Sequence, residues 1–110
     1  MSIQELANNE QRAILELKMN ISNKYSLNKL VLFGSKARGD SDAESDIDLL
    51  ALLDNVVDFE TEREVFHLAY DMELKHDVVV GVIVQNSDYW QKRCSSLPIK
   101  KIIDREGIAV

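Results

Sequence analysis

Gly34-Ser35-Lys36-Ala37-Arg38-Gly39, followed after a short polar stretch by Asp46-Ile47-Asp48-Leu49-Leu50, decides how this chain folds and what it can do. The first segment comes after residues 29–33, apolar from Leu30 on, which read as a short buried strand closed by Gly34. In α/β proteins the end of such a strand is where a ligand commonly meets the sheet. Gly34 carries no Cβ to hold a ligand away from the backbone. Ser35 then brings an amide and a hydroxyl to the start of a helical turn, 35–38, where free N–H groups favour phosphate. Residues 39–45 are small and polar and read as loop.

Asp46 and Asp48 stand two apart in a second expected strand, 46–53. Strand geometry puts both carboxylates on one face and turns Ile47 and Leu49 to the other. Paired carboxylates at the end of an apolar strand repel each other unless a cation lies between them. Oxygen-only ligands select Mg²⁺ or Mn²⁺ over zinc. Asp77 opens a third expected strand, 77–84, which is β-branched almost throughout. If that strand lies beside the second, at about 4.8 Å, Asp77 reaches the same cleft. Three acids around metal, next to a phosphate-holding Gly-Ser turn, are the equipment of metal-assisted nucleotidyl transfer.

Two other motifs overlap this stretch, and both fail. Gly34 to Ser41 spells G-x-x-x-x-G-D-S, but Asp40 stands where a P-loop needs its phosphate-binding lysine. Asp40, Asp42 and Glu44 imitate the start of an EF-hand loop. Ser45 and Ala51, however, occupy the positions of its required glycine and glutamate.

Around the motif, apolar spacing at Ile3, Leu6, Ala7, Ile14, Leu17 and Ile21 predicts an amphipathic helix from about Ser2 to Tyr25. Asp58 or Thr61 caps a second helix running to about Lys75, with Phe59, Val65, Phe66, Ala69 and Met72 inward. Asn86 or Ser87 caps a short helix through Cys94, and Pro98 starts another that Gly107 ends. The expected fold class is a single small α/β domain, residues 1–110, with helices packed on one sheet.

A chain of 110 residues with 45% apolar and 29% charged side chains has the composition of one globular domain, too apolar for disorder. The longest apolar runs, 49–53 and 78–84, fall far short of the roughly 18 residues a membrane span requires. The N-terminus opens polar, unlike a signal peptide. One cysteine, Cys94, excludes an internal disulfide and fits a reducing cytoplasm. The net charge of −6 argues against a large nucleic-acid footprint, which draws on clustered Lys and Arg. A polyphosphate must then be held by local cations, backbone amides or metal ions.

Gly34-Ser35, ten intervening residues, then Asp46-Ile47-Asp48 resembles the signature of the minimal nucleotidyltransferases (MNT), a branch of the DNA polymerase beta superfamily. The likeness continues through residues 49–53, the Asp77 strand, and the tail with Asp104-Arg105-Glu106-Gly107-Ile108, so it covers nearly the whole chain from Leu30 onward. The resemblance implies the nucleotidyltransferase fold, an α/β (α+β) domain with a small mixed β-sheet backed by helices, with Mg²⁺ and ATP in its cleft. Asp46, Asp48 and Asp77 would be the catalytic metal ligands, Asp77 also helping to deprotonate the acceptor hydroxyl. Gly34 and Ser35 would hold the triphosphate. Family members of this size often act as the antitoxin of an MNT–HEPN pair, transferring AMP from ATP to a tyrosine of the HEPN ribonuclease toxin. The expected partners are therefore a HEPN toxin and ATP, in a homo- or hetero-oligomer, without direct nucleic acid or membrane contact. The expected elements take up almost all 110 residues and leave none for a second lobe over the cleft, which favours a docked protein acceptor over an enclosed small molecule.

Two alternatives stay open: transfer to a small molecule such as an aminoglycoside, and a silent antitoxin that neutralises by contact alone. Several residues near the motif carry competing readings. Lys36 and Arg38 either steer phosphates or, for Arg38, brace the acidic loop through Asp40, Asp42 or Glu44. His76 adjoins Asp77 and could tune it, but reads better as a surface residue, as does His67. Trp90 reads as core, Tyr89 as rim, and Cys94 as inert.

Overall fold

The structure, a computed structural model, describes residues 5–40 and 45–110. Its elements run α1 (Asn8–Lys24), β1 (Leu27–Phe33), α2 (Ser35–Arg38), β2 (Ile47–Leu53), α3 (Phe59–His76), β3 (Val80–Asn86), α4 (Ser87–Arg93), α5 (Pro98–Glu106) and β4 (Ile108–Ala109). Among the described residues the strands form one mixed sheet in the order β3-β2-β1-β4. The β1–β2 and β1–β4 pairs are antiparallel, and β2–β3 is parallel. Parallel neighbours need a long crossover, which α3 supplies. This is the small mixed sheet backed by helices that the sequence predicts.

Both faces of the sheet are covered, which is why β2 is apolar almost without interruption. On one face Ala13, Ile14, Leu17 and Ile21 of α1 and Val65, Ala69 and Met72 of α3 pack on Leu30, Leu32, Ile47, Leu49, Ala51 and Leu53. On the other, Trp90, Cys94 and Ile103 of the α4–α5 side pack on Val31, Leu50 and Leu52. Fully burying each such side chain contributes about 1.5–3 kcal/mol. Asp48 shares this second face with Leu50 and Leu52, near the start of β2.

Several local expectations hold. Asp58 caps α3, its carboxylate accepting from the Thr61 N–H and hydroxyl, both at 2.9 Å. These bonds hold the Asp58 carboxyl below the usual range. Asp58→Ala is expected to lower stability by about 1 kcal/mol, read as a shift in the urea midpoint. Asn86 caps α4 by accepting from Tyr89 N–H at 3.0 Å. Trp90 is buried, and Lys100 Nζ lies 5.9 Å from its ring centroid. His67 and Tyr89 are exposed, and among the described residues no helix is long and apolar enough to cross a membrane.

Other expectations are corrected. The first helix starts at Asn8, not near Ser2: Ala7 is extended at its N-cap, and Glu10 accepts from the Ala7 N–H at 3.1 Å. Ser2 and Ile3 lie outside the described residues, as do Asp42 and Glu44. β1 begins at Leu27, two residues early, and β4 is a strand that its two-residue length hid from any periodicity. Phe59 and Phe66 are not core, being 73% and 44% exposed. Val65, Ala69 and Met72 define the buried stripe of α3, and at about 100° per residue Phe66 is turned off it.

Candidate active site

The β1–β2 register sets Phe33 opposite Asp48, so Gly34, the next residue, lies against the Asp48 side chain. Gly34 has φ 77° and ψ −158°, a backbone region essentially restricted to glycine. A Cβ there would run into Asp48 Oδ2 and lie 3.3 Å from Asp48 Cγ. The glycine thus does two things at once: it turns the chain from β1 into α2, and it leaves room for a carboxylate beside the turn. Arg38 N–H donates to Gly34 O at 3.1 Å, and Gly39, at φ 80°, ends the turn.

Ile47 and Leu49 are buried in the core on one face of β2 and Asp48 lies on the other, but the strand starts at Ile47, so Asp46 stands just before it rather than within it as expected. Asp46 is exposed and Asp48 half-buried. Burial pushes the Asp48 carboxyl above its usual range, and the Asp46 charge adds to this, while Arg38 opposes it. The pair thus carries repulsion that a cation would relieve. The donors are oxygen only, and the missing Cβ of Gly34 opens the turn toward them, so these residues fit a hard divalent ion such as Mg²⁺. Asp46 and Asp48 are the side chains that would hold it.

The expected placement of Asp77 is corrected. Asp77 does not open β3; it is the C-cap of α3, in left-handed conformation with φ 56°, its N–H donating to Glu73 O at 3.0 Å. The strand starts three residues later because the helix continues through His76, and the chain needs residues 77–79 to turn back. The parallel register sets Gly81, not an acid, beside Asp48. Asp77 instead lines a groove with Glu10, Ser45 and Val79. Among the described residues no three His, Cys, Asp or Glu side chains converge as a metal set.

The flanking residues also sort out. Arg38 is held by Asp40, with Nε to Oδ2 at 3.1 Å, and by Glu106, with Nη1 to Oε1 at 3.1 Å. These two carboxylates push its guanidinium pKa up. The bracing reading of Arg38 therefore holds through Asp40, and Glu106 adds a second brace. Lys36 is buried and ion-paired with Glu10 of α1, which ties that helix to the turn. His76 faces Glu16, at 3.4 Å, rather than Asp77. Glu106 is the site neighbour that spacing arguments miss, since it lies 72 residues from its partner Gly34. The only trace of it in the sequence is the Glu106-Gly107 tail noted for its resemblance.

The model of the nucleotidyltransferase domain matches residues 14–107. The Methanocaldococcus jannaschii protein named "Putative protein adenylyltransferase" is 40% identical over 87 residues, spanning 77% of this chain and 82% of that protein. Two solved structures share the fold. One, a crystal structure of a toxin–antitoxin with AMP-PNP, matches with a TM-score of 0.63 at 21% identity over 94% of this chain and 72% of that one. The other contains a tri-AMPylated Shewanella oneidensis HEPN toxin in complex with an MNT antitoxin. It matches with a TM-score of 0.55 at 22% identity over 92% and 67% of the two chains. The match over most of its length, together with the 40% identical relative, shows that this chain belongs to the nucleotidyltransferase domain family.

Proposed function

We propose that this chain transfers AMP from ATP, with Mg²⁺, to a tyrosine hydroxyl of a partner HEPN ribonuclease in the cytoplasm, and so acts as its antitoxin. The observation that carries this reading is the contact of Gly34 with Asp48, which juxtaposes a phosphate-binding turn and a metal-binding carboxylate. The names of the relatives, protein adenylyltransferase and MNT antitoxin of a HEPN toxin, support the protein acceptor.

Gly34 and Ser35 bind the triphosphate through the turn, and Arg38, half-exposed beside it, contributes positive charge. Asp46 and Asp48 would hold the metal, which would supply charge to offset that building on the phosphate oxygens during transfer. The acceptor hydroxyl oxygen attacks the α-phosphorus in line. The bond from that phosphorus to the β-phosphate bridging oxygen breaks, pyrophosphate leaves, and the hydroxyl proton passes to solvent. Positioning and charge neutralisation suffice, without a covalent enzyme intermediate.

Asp77 has no part in this set. Asp77→Asn, which keeps a residue type tolerant of left-handed backbone, is expected to transfer at close to the wild-type rate. A collapse of transfer in that variant, with melting unchanged, would restore Asp77 as a third ligand.

The reaction is tested by intact mass spectrometry of a HEPN-type protein encoded beside this chain, after incubation with ATP and Mg²⁺. The expected result is one or more added adenylyl groups, mapped to tyrosine. Label from ATP moving to an aminoglycoside without any protein would favour a small-molecule acceptor. Protection of cells by an Asp46→Ala, Asp48→Ala variant would favour the silent antitoxin.

A further inference from the structure

We propose that Glu106 is a positioning residue for nucleotide binding: it fixes the Gly34–Ser35 turn from across the sheet and holds Arg38 at its edge. The proposal rests on the nucleotide-binding reading of that turn given above. Glu106 is the last residue of α5, and its side chain is only 13% exposed. Oε1 accepts from the Gly34 N–H at 3.1 Å and from Arg38 Nη1 at 3.1 Å, and Oε2 lies 3.3 Å from the same Nη1. One carboxylate therefore holds both ends of the four-residue α2.

The chain around Glu106 is built to deliver it there. Gly107 passes so close to β1 that a Cβ would lie 2.6 Å from Val31 Cγ1 and 2.5 Å from Ile103 O. Immediately after it, Ile108 and Ala109 pair with Leu32 and Val31, and Val110 N–H donates to Leu30 O at 2.9 Å. The tail is thus fastened along the strand that leads into Gly34, which sets the height of Glu106 over the turn. Gly34 needs such support, because glycine by itself populates many conformations besides the one the turn requires. The Arg38 charge in turn offsets part of the negative charge of Glu106 and Asp40, both of which pair with it.

The variants Glu106→Ala and Glu106→Gln separate the parts of this claim, with wild-type melting behaviour checked first. Gln retains an oxygen that can accept from Gly34, whereas Ala retains nothing. Binding of a non-hydrolysable ATP analogue with Mg²⁺, followed by calorimetry, is expected to weaken about tenfold in the Ala variant, the size typical of lost outer-shell support. The Gln variant is expected to bind close to wild type. In turnover, KM for ATP is expected to rise in the Ala variant with kcat largely kept. Amide exchange at Gly34 without nucleotide, read by NMR, is expected to speed up in the Ala variant and not in the Gln variant. Wild-type nucleotide affinity and unchanged Gly34 exchange in Glu106→Ala would overturn the proposal. An equal loss in both variants would overturn the acceptor role of the side chain. The exchange measurement needs no ligand, so it fails or succeeds independently of whether ATP is the substrate.

Discussion

Asp48→Asn is expected to abolish adenylyl transfer and, in the same protein, to raise the melting temperature. Metal-assisted charge stabilisation contributes several kcal/mol, and each 1.36 kcal/mol is tenfold in rate, so the loss of transfer should be roughly 10³-fold or more. The gain in stability comes from the opposite side of the same design. Burial and Asp46 push the Asp48 carboxyl up, so the folded state holds its proton more tightly than the unfolded chain does. Wherever the folded state binds more protons, stability falls as pH rises. At neutral pH the ionised Asp48 therefore opposes folding in the metal-free protein, and Asn removes that cost. The melting-temperature gap between variant and wild type should be widest at neutral pH and close as pH falls and Asp48 takes up its proton. Saturating Mg²⁺ with nucleotide should reverse the order, because only the wild type gains from the ligand. Transfer at near wild-type rates by Asp48→Asn would remove the metal assignment.

Gly34→Ala is the second large effect, and it reads the backbone rather than a side chain. Alanine in that conformation costs about 1–3 kcal/mol, a sizeable part of the roughly 5–15 kcal/mol that holds a domain of this kind together. The variant should therefore fold with a clearly lower urea midpoint. Its added methyl also displaces the Asp48 carboxylate, since the two would occupy the same space. Nucleotide binding should consequently be lost even at temperatures where the variant is fully folded. A double-mutant cycle with Asp48→Ala separates the two costs: the backbone strain should persist, while the part due to the clash should vanish. Full additivity of the two changes would show that Gly34 and Asp48 do not touch in solution.

The two predictions differ in how visible their residues are in the sequence. Gly34, Ser35, Asp46 and Asp48 stand out because each signal is local. A glycine ending an apolar run, and acids two apart in an apolar strand, need no knowledge of the rest of the chain. The caps at Asp58 and Asn86 are local in the same sense, each joined to an N–H three residues on. The position of Asp77 is not legible because the residues from Val78 to Val84 are β-branched except for Gly81. Nothing in their pattern marks where α3 releases the chain into β3.

The sequence by itself therefore determined the five helices and three longer strands to within a few residues, and the residues proposed to handle a nucleotide and a cation. These follow from backbone preference and side-chain period, which act over a few residues. Only the tertiary structure decided which of them meet: Gly81 beside Asp48 in place of an acid, Lys36 turned inward to Glu10, and Glu106 brought across to Gly34. Those contacts depend on strand register and on how the last helix and strand lie along β1. Packing over the whole domain sets both, and residues far apart in the chain carry no local mark of it.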